Sequence, residues 1–303
     1  MEYFLQALSY AAGEKRKITN LIESQNLTSE MIDIFQRLSL EHYREYNGDI
    51  YDIAIESALK TMGDRPRNLS KLLFATSSFH AEREFSRINN LKDINSIISS
   101  LELQAYPYGI FLSDCANFIS AVKIGTSLVM ADSEPVLFIV SDVVGDSESR
   151  IVPPGLAIKS DAAASGIITF DREQDSFRIL EIAQFHDCQM IEKGKNLNEN
   201  YSKGFINCVE FVKDRFLDGR KIDFIVLNNN SVSYIKSFSK LWNIDINNFY
   251  TKQIKHFAHC FSSDIVINLV EMKNDELLRN GMKILAVSTS PTSISAMYME
   301  YVC

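Results

Sequence analysis

Short apolar runs alternate with segments of helical periodicity along most of this chain. The runs that predict strands lie at residues 71–76, 108–112, 136–144, 222–227, 282–287 and 294–301. The segments that predict helices lie at residues 91–101, 116–131, 203–217, 231–241 and 262–272. Alternating strands and helices favour an α/β fold whose sheet contains parallel pairs, because a parallel pair needs a connection long enough to hold a helix.

The order of these elements predicts two similar halves, residues 1–171 and 172–303. Each half is predicted to end with an antiparallel pair. Apolar segments at 162–170 and 177–185 are predicted to be neighbouring antiparallel strands. The polar segment at residues 14–47 is predicted to be mostly helical and to cap the first half.

The composition is that of an ordinary soluble globular protein, with 46% hydrophobic and 23% charged residues in a chain of 303. The net charge of −8 excludes broad, non-specific binding to nucleic acids or anionic membranes. One segment, residues 13–17, is basic although the net charge of the chain is negative. We interpret it either as a solvated turn or as a site for a phosphate-bearing ligand.

Targeting and redox signals are missing from the sequence. It has no apolar run of about 18 residues and no basic start before a long apolar stretch, so neither a membrane span nor a secretory signal is expected. The five cysteines are an odd number without tight spacing. This pattern is typical of a reduced cytoplasmic protein with no disulfide framework and no metal site.

The segment from Tyr108 to Phe118 carries the most local sign of chemistry. A short apolar run ends at Ser113 and Asp114, Cys115 follows at once, and a long apolar segment begins at Phe118. A cysteine at a turn from a strand into a helix lies near backbone N–H groups and the helix dipole, which stabilise a thiolate. Cys115 is therefore either a nucleophile or a small buried residue of the core, which is the commoner state of an intracellular cysteine.

A cysteine nucleophile needs a base. The chain has five histidines, His42, His80, His186, His256 and His259. The last two precede a predicted buried helix, in a loop with small polar residues. A histidine at a helix start can act as a base or as a hydrogen-bond donor. Sequence order alone does not bring this loop to the cysteine.

Six segments, taken in order, resemble the ketoacyl synthase III branch of the thiolase fold, whose members are condensing enzymes. The family's nucleophile turn is similar to residues 113–118, and its Asp-Gly-Ala-Gly-Ala segment is similar to residues 160–167. The other similar segments are residues 72–77, 136–143, 222–235 and 258–269. The resemblance implies a thiolase-like, duplicated five-layer αβαβα fold with mixed sheets. It also implies a dimer, with itself or with a related subunit, formed through residues 136–143 or 106–112.

This sequence differs from the family's pattern at the positions of the residues that usually assist the cysteine in catalysis. The family's histidine motif falls on residues 227–230, which places Leu227 where the family has its histidine. The family's asparagine falls on His259. The resemblance therefore implies a Cys115–His259 dyad, with Asn228 and Asn230 as auxiliary residues and Asn228 as a substitute donor.

A second departure lies near the C-terminus. The family's Gly-rich turn, which supplies an oxyanion N–H, becomes residues 288–293 in this chain. Pro291 has no N–H to donate. If the register slips by one, Ser290 or Thr292 supplies the donor instead.

The resemblance implies an acyltransferase or condensing enzyme. Cys115 would take an acyl group from a coenzyme A or carrier-protein thioester, and His259 would serve transfer to the acceptor. The phosphopantetheine thioester is a substrate here, no permanently bound cofactor is expected, and secondary-metabolite or specialised fatty-acid biosynthesis is the implied setting. Ordinary malonyl condensation is less favoured than transfer to an unusual carbon, oxygen or nitrogen nucleophile. Two alternatives stay open: a catalytically impaired subunit that pairs with an active homologue, and an unrelated α/β protein whose Cys115 is core.

Overall fold

The computed structural model describes residues 2–78, 87–145, 148–152, 157–187, 197–290 and 293–303. Its strands are β1 Tyr3–Ala12, β2 Glu14–Lys17, β3 His42–Glu45, β4 Lys71–Ala75, β5 Tyr106–Ile110, β6 Val136–Asp142, β7 Ile151–Val152, β8 Ala157–Ile158, β9 Ala162–Thr169, β10 Ser176–His186, β11 Phe224–Leu227, β12 Phe249–Tyr250, β13 Lys283–Thr289 and β14 Ser293–Val302. Its helices are α1 Leu21–Ser24, α2 Ser29–Arg37, α3 Ile50–Met62, α4 Arg87–Ser100, α5 Asn117–Asp132, α6 Leu197–Val212, α7 Val232–Trp242, α8 Ile254–Phe257 and α9 Asp264–Asn274. His80, Pro291 and Thr292, named above, lie outside the described residues.

Ten strands form one mixed sheet in the order β12-β11-β13-β14-β10-β1-β9-β6-β4-β5. Each half contributes five strands to this sheet. Numbered along the chain within their own half and read from the outer edge to the centre, they lie in the same order: third, second, fourth, fifth and first. The first three of each half are parallel to one another, and the remaining neighbours are antiparallel. The antiparallel pair β1–β10 joins the two halves. The chain therefore builds one α/β unit twice, as a mixed sheet.

The helices and the two halves of the sheet stack in five layers, and hydrophobic clusters hold the layers together. Helices α3 and α4 pack on the first half of the sheet, and α6 and α7 pack on the second half. Helices α5 and α9 lie between the two halves, where Phe118 and Ile265 share one cluster with Phe138 and Met297. Both central helices are therefore enclosed by sheet on two sides, which explains their nearly continuous apolar sequences.

Local sequence explains individual elements. All seven residues of β6 are buried, so this strand is an apolar run instead of an alternating pattern. Helix α3 begins at a capping box, in which the Asp49 carboxylate accepts from the Tyr51 and Asp52 N–H groups at 2.9 and 3.0 Å. No helix among the described residues is long and apolar enough to cross a membrane.

The N-terminal segment differs from its prediction in two ways. It supplies β1, a central strand of the sheet, because residues 3–12 form a mainly apolar run with a bulge at its middle. The segment at residues 14–47 forms the β2–β3 ribbon with α1 and α2, and it packs on the second half instead of the first. Ile18 and Phe35 share a cluster there with Phe238 and Trp242.

One prediction about strand neighbours is wrong, and one of the two strands predicted as a dimer edge is excluded. Strands β9 and β10 are not adjacent, because β1 pairs with both of them and lies between. Strand β6 pairs with β4 and β9, so it is an interior strand and does not offer a dimer edge. The free edge of the first half is β5, whose Tyr106 side chain is 67% exposed. An apolar pattern predicts a strand but does not say which strand lies beside it.

Candidate active site

The turn that carries Cys115 lies between β5 and α5, at the edge where the parallel strands of the first half end. Residues 114–116 form one turn of 3₁₀ helix, and α5 begins at Asn117. Asp114 has a φ of 47°, so the chain turns sharply just before the cysteine. Asn117 closes the turn, since its Oδ1 accepts from the Ser113 N–H and its Nδ2 donates to the Thr76 carbonyl, each at 3.0 Å.

His259 is held by the loop between α8 and α9. Its N–H donates to the Ile158 carbonyl at 2.9 Å, and its own carbonyl accepts from the Ser160 N–H at 2.8 Å. Ala258, just before it, has a φ of 51°. Two backbone hydrogen bonds and this sharp turn fix the direction of the imidazole.

Cys115, His259 and Asp264 form one hydrogen-bonded chain. Cys115 Sγ lies 3.1 Å from His259 Nε2, and His259 Nδ1 lies 2.5 Å from Asp264 Oδ2. An ionised carboxylate only accepts hydrogen bonds, so Nδ1 carries a proton and Nε2 is free to take the thiol proton. The arrangement is that of a nucleophile–histidine–acid triad.

Asp264 is the first residue of α9, and backbone groups hold both of its oxygens. Oδ1 accepts from the Cys260 N–H at 2.7 Å, and Oδ2 accepts from the Asn229 N–H at 2.8 Å. The side chain is fully buried. Backbone N–H donors and a helix N-terminus both favour a negative charge at this place.

The charges around the site keep the proton on the thiol at rest. Burial, and then the charges of Asp114, Asp142 and Asp264, raise the pKa of Cys115 well above its ordinary value. Burial opposes protonation of His259, but the charge and hydrogen bond of Asp264, with Asp114 and Asp142, outweigh it and raise its pKa. Both shifts favour the neutral thiol of Cys115 over its thiolate in the resting site.

Asp142, the last residue of β6, is a fully buried carboxyl group that acts on both members of this pair. Its Oδ1 accepts from the Ser77 N–H at 2.6 Å, the Ser78 N–H at 3.1 Å and the Thr76 hydroxyl at 3.3 Å. Its Oδ2 has no hydrogen-bond partner within the described ranges. Burial above all, with the charge of Asp114, raises the pKa of Asp142 to about 7.

Asn228 is tied to the nucleophile turn through Ser288. The Ser288 hydroxyl lies 2.6 Å from the Cys115 carbonyl and 2.9 Å from Asn228 Oδ1, and it donates its one proton to either oxygen. Asn228 Nδ2 donates to the Phe261 carbonyl at 3.1 Å. Leu227 packs in a hydrophobic cluster. Asn228 through its side chain and Asn229 through its backbone N–H therefore reach the site, whereas Leu227 does not.

The other two auxiliary residues form their hydrogen bonds with neighbours in the chain. Asn230 donates its N–H to the Asn228 carbonyl at 2.7 Å. Ser290 donates its N–H to the Ser293 carbonyl at 2.9 Å, and the two hydroxyls lie 2.7 Å apart. The Ser290 N–H is thus occupied within its own turn and does not point to an oxyanion.

The sequence did not single out Asp264. It lies five residues after His259 and begins a buried helix, which explains an acidic residue as a helix cap without any catalytic role. Only the folded chain shows that its second oxygen faces the imidazole. Among the described residues, no group of three or more His, Cys, Asp or Glu side chains could hold a metal ion.

Comparison with known proteins gives structural relatives only. No family model matches the chain, and no curated protein matches it in sequence. ChlB3, described as an acyltransferase, superposes with a TM-score of 0.81 at 15% identity, over 100% of this chain and 98% of its own. This chain has the thiolase fold.

Two further structures show the same fold. The 3-oxoacyl-(acyl carrier protein) synthase III from Pseudomonas aeruginosa has a TM-score of 0.77 at 11% identity, over 100% of this chain and 99% of its own. Cerulenin-bound OleA from Xanthomonas has a TM-score of 0.78 at 14% identity, over 99% of each chain. The fold class implied by the sequence resemblance is confirmed. At these identities the likeness extends to the fold alone, so the chemistry must be argued from the triad.

Proposed function

We propose that this protein is a thioester-dependent acyltransferase that carries its acyl group on Cys115. The observation that supports the proposal is the buried hydrogen-bonded chain from Cys115 through His259 to Asp264. A structural cysteine needs only apolar neighbours, whereas a nucleophile needs a base that is itself oriented. Cys115 has both, and Val144 and Phe261 pack beside it to keep its surroundings apolar.

The first step loads the enzyme. As Cys115 Sγ attacks the thioester carbonyl, its proton passes to His259 Nε2, and Asp264 stabilises the imidazolium through Nδ1. The tetrahedral intermediate then expels the donor thiol, which takes the proton back from Nε2. The products of this step are a free coenzyme A or carrier thiol and an acyl-Cys115 thioester.

The second step releases the acyl group. His259, neutral again, removes a proton from the acceptor as the acceptor attacks the acyl-Cys115 carbonyl. The thiolate that leaves is reprotonated from Nε2, which restores the resting site. His259 thus serves each step as base and then as acid, and its pKa, raised above the ordinary histidine value, suits both tasks.

We propose an oxygen or nitrogen acceptor in preference to a malonyl carbon. A decarboxylating condensation must stabilise an enolate with hydrogen-bond donors. Here neutral His259 carries its proton on Nδ1 toward Asp264 and has no N–H on Nε2 to donate, and Asn228 Nδ2 already donates to the Phe261 carbonyl. An O–H or N–H acceptor needs only the base that the triad supplies.

The exposed edge of β5 suits the dimer that the family resemblance implies. Tyr106 is 67% exposed, and Phe111 and Leu112, just beyond the strand, are 48% and 89% exposed. We propose that β5 pairs with the same strand of a second copy or of a related subunit. Light scattering on the purified chain tests this: a Leu112→Asp variant is expected to favour monomers, and an unchanged mass would contradict it.

Intact-mass measurement tests the proposed function. The protein is incubated with a panel of acyl-coenzyme A and acyl-carrier thioesters, and a mass gain equal to one acyl group is expected. The gain should vanish in Cys115→Ser and persist in Cys303→Ser, which removes an exposed thiol far from the triad in sequence. Absence of any adduct, with co-purification of a homologous subunit, would favour the impaired-subunit alternative.

The base is tested separately. His259→Ala should slow acylation strongly, whereas His186→Ala should not, because His186 is an exposed residue at the end of β10. Equal effects of the two substitutions would contradict the assigned role of His259.

A further inference from the structure

The two-stranded ribbon of β2 and β3 separates its charges by face. The strands pair with Lys15 opposite Arg44 and Lys17 opposite His42. Directly opposed residues share a face of a ribbon, and alternate residues of one strand share it too. All four basic side chains therefore lie on one face, where like charges meet across the strands and destabilise the ribbon unless an anion lies between them.

The acidic residues of the ribbon lie on its other face. Glu14 and Glu45 are opposed there, and Arg16 pairs with them at 2.6 and 3.4 Å. One guanidinium thus offsets part of their charge, and both carboxylates lie on the face opposite the basic residues. None of Lys15, Lys17 and Lys255 is ion-paired with a carboxylate among the residues that the structure describes.

Helix α8 adds two more basic residues beside this face. The Arg44 Nε donates to the His256 carbonyl at 3.1 Å, and Lys255 and His256 are adjacent on the helix. We call the resulting surface the basic face, and it consists of Lys15, Lys17, His42, Arg44, Lys255 and His256. The chain as a whole carries a net charge of −8, so this concentration of positive charge is local.

The hydrogen bonds within the basic face fix the tautomers of its two histidines. His42 Nδ1 lies 3.1 Å from the Lys255 carbonyl, which only accepts, so Nδ1 carries the proton. Lys15 Nζ lies 3.1 Å from His256 Nδ1, and an ammonium only donates, so neutral His256 carries its proton on Nε2. Neither Nε2 has a partner within the described ranges. The face therefore presents the ammonium groups of its lysines and the Nε2–H of His256 as donors, whereas Nε2 of neutral His42 is an acceptor.

The positive charge of the basic face affects the pKa of His256. Burial lowers its pKa, and the charges of Lys15, Lys255 and His42 lower it further, against a smaller opposite effect of Glu41. An anion with several oxygens would relieve this repulsion and accept from several donors at once.

We propose that the basic face binds the phosphate groups of a phosphorylated small molecule. Two sources share this chemistry, the nucleotide end of a coenzyme A thioester and a separate phosphorylated ligand. The site is distinct from the triad, and binding there does not require Cys115 to be reactive.

Calorimetric titration with inorganic pyrophosphate at constant ionic strength tests the proposal. Wild type and Cys115→Ser should both bind. The double variant Lys15→Ala, Lys17→Ala should bind at least about tenfold more weakly, because it removes two charge-assisted donors. The matched control is Lys236→Ala, Lys240→Ala, which removes two exposed lysines of α7 and should leave binding unchanged. His256→Gln tests the face independently, because it replaces the imidazole with an uncharged polar side chain of similar reach, and it should also weaken the binding of pyrophosphate.

The two sources are separated by competition. If coenzyme A displaces pyrophosphate, and the double variant raises KM for a coenzyme A donor but not for a pantetheine donor, the donor is the source. If coenzyme A does not compete while pyrophosphate binds, a separate phosphorylated ligand is the source. No binding of pyrophosphate, equal loss in the control pair, or equal displacement by chloride at the same ionic strength would overturn the proposal.

Discussion

The two halves of the molecule build the same turn and place different chemistry in it. In the first half, the turn at residues 114–116 leads into α5, and in the second half the turn at residues 261–263 leads into α9. Both turns are 3₁₀ helices that open with a residue in the left-handed region, φ 47° at Asp114 and 50° at Phe261. The first turn carries the thiol of Cys115, and the second carries two serines and leads directly into Asp264.

The first residue of the following helix closes each turn in the same way. Asn117 Oδ1 accepts from the Ser113 N–H at 3.0 Å, and Asp264 Oδ1 accepts from the Cys260 N–H at 2.7 Å, in each case four residues back. The turn therefore needs a side-chain oxygen, which an amide supplies as well as a carboxylate. The charge of Asp264 is not needed to hold the turn, so its value lies in what it does to His259.

Asp264→Asn tests this distinction and should have the largest effect. The amide oxygen can still accept from the Cys260 N–H, so the turn should survive, although the buried Asn229 N–H loses its acceptor and some stability is lost. The amide nitrogen, facing Nδ1, would force the wrong imidazole tautomer, and acylation should slow by about 10²–10⁴. Single-turnover acylation by intact mass measures the rate, with thermal unfolding as the control. A loss below about tenfold in a folded variant would show that the charge is not needed.

The pH dependence of acylation follows from the same charge. His259 must be neutral to accept the thiol proton, so the rate should rise with pH as His259 loses its proton. Because its pKa is raised, the midpoint should lie above the ordinary histidine value of about 6.5. In Asp264→Asn the midpoint should move to lower pH. Identical midpoints, or a rate that falls as pH rises through this range, would contradict the assignment.

The sequence predicted the site's members unevenly, for physical reasons. Cys115 stood out because a thiol between an apolar strand and an apolar helix is a local feature. His259 was reached through the family resemblance, since residues 144 positions apart are brought together only by the fold. Asp264 was missed because an acid at a helix start already has a sufficient explanation as a cap.

The fold was predictable in its elements but not in its neighbours. Runs of buried residues identify strands such as β6, and apolar periodicity identifies helices such as α7. The position of β1 between β9 and β10 depends on pairing across the whole chain, which local patterns do not record. The N-terminal ribbon was misjudged for a related reason: its polar residues suggested a helical cap, while Ile18 and Tyr43 are buried against the second half.

Asn117→Asp adds a charge to the turn of the first half, as Asp264→Asn removes one next to the turn of the second half. Its effect on the rate of acylation should be smaller. The carboxylate can accept from Ser113 but cannot donate to the Thr76 carbonyl, and it adds a fourth negative charge near Cys115. Acylation should slow by about tenfold to a hundredfold, since the developing thiolate is destabilised. Asn117→Ser, which keeps a hydroxyl that can accept and donate, should be less affected. Equal rates in wild type and the Asp variant would show that charge at this place does not act on the thiol.

Asp142→Asn should affect the rate least. Asp142 ends the fourth strand of the first half, and its counterpart in the second half is the neutral Thr289, whose N–H donates to Asn228 Oδ1 at 3.0 Å. An amide at position 142 can still accept from Ser77 and Ser78, so the loop after β4 should stay in place. Acylation measured below pH 7, where the pKa of about 7 leaves Asp142 mostly uncharged in the wild type, should therefore change little.

The stability of the Asp142 variant should change with pH instead. The folded-state pKa of Asp142, about 7, lies above the unfolded value of about 3.9, so the folded state binds the proton more tightly. The contribution of Asp142 to the free energy of unfolding is then greatest at low pH and falls as pH rises from about 4 to about 7. Urea unfolding at pH 5 and pH 8 should show this fall in wild type and a smaller one in Asp142→Asn. An equal fall of the free energy of unfolding in both proteins would mean that the charge of buried Asp142 costs no stability. The two halves would then differ less than the side chains of Asp142 and Thr289 suggest.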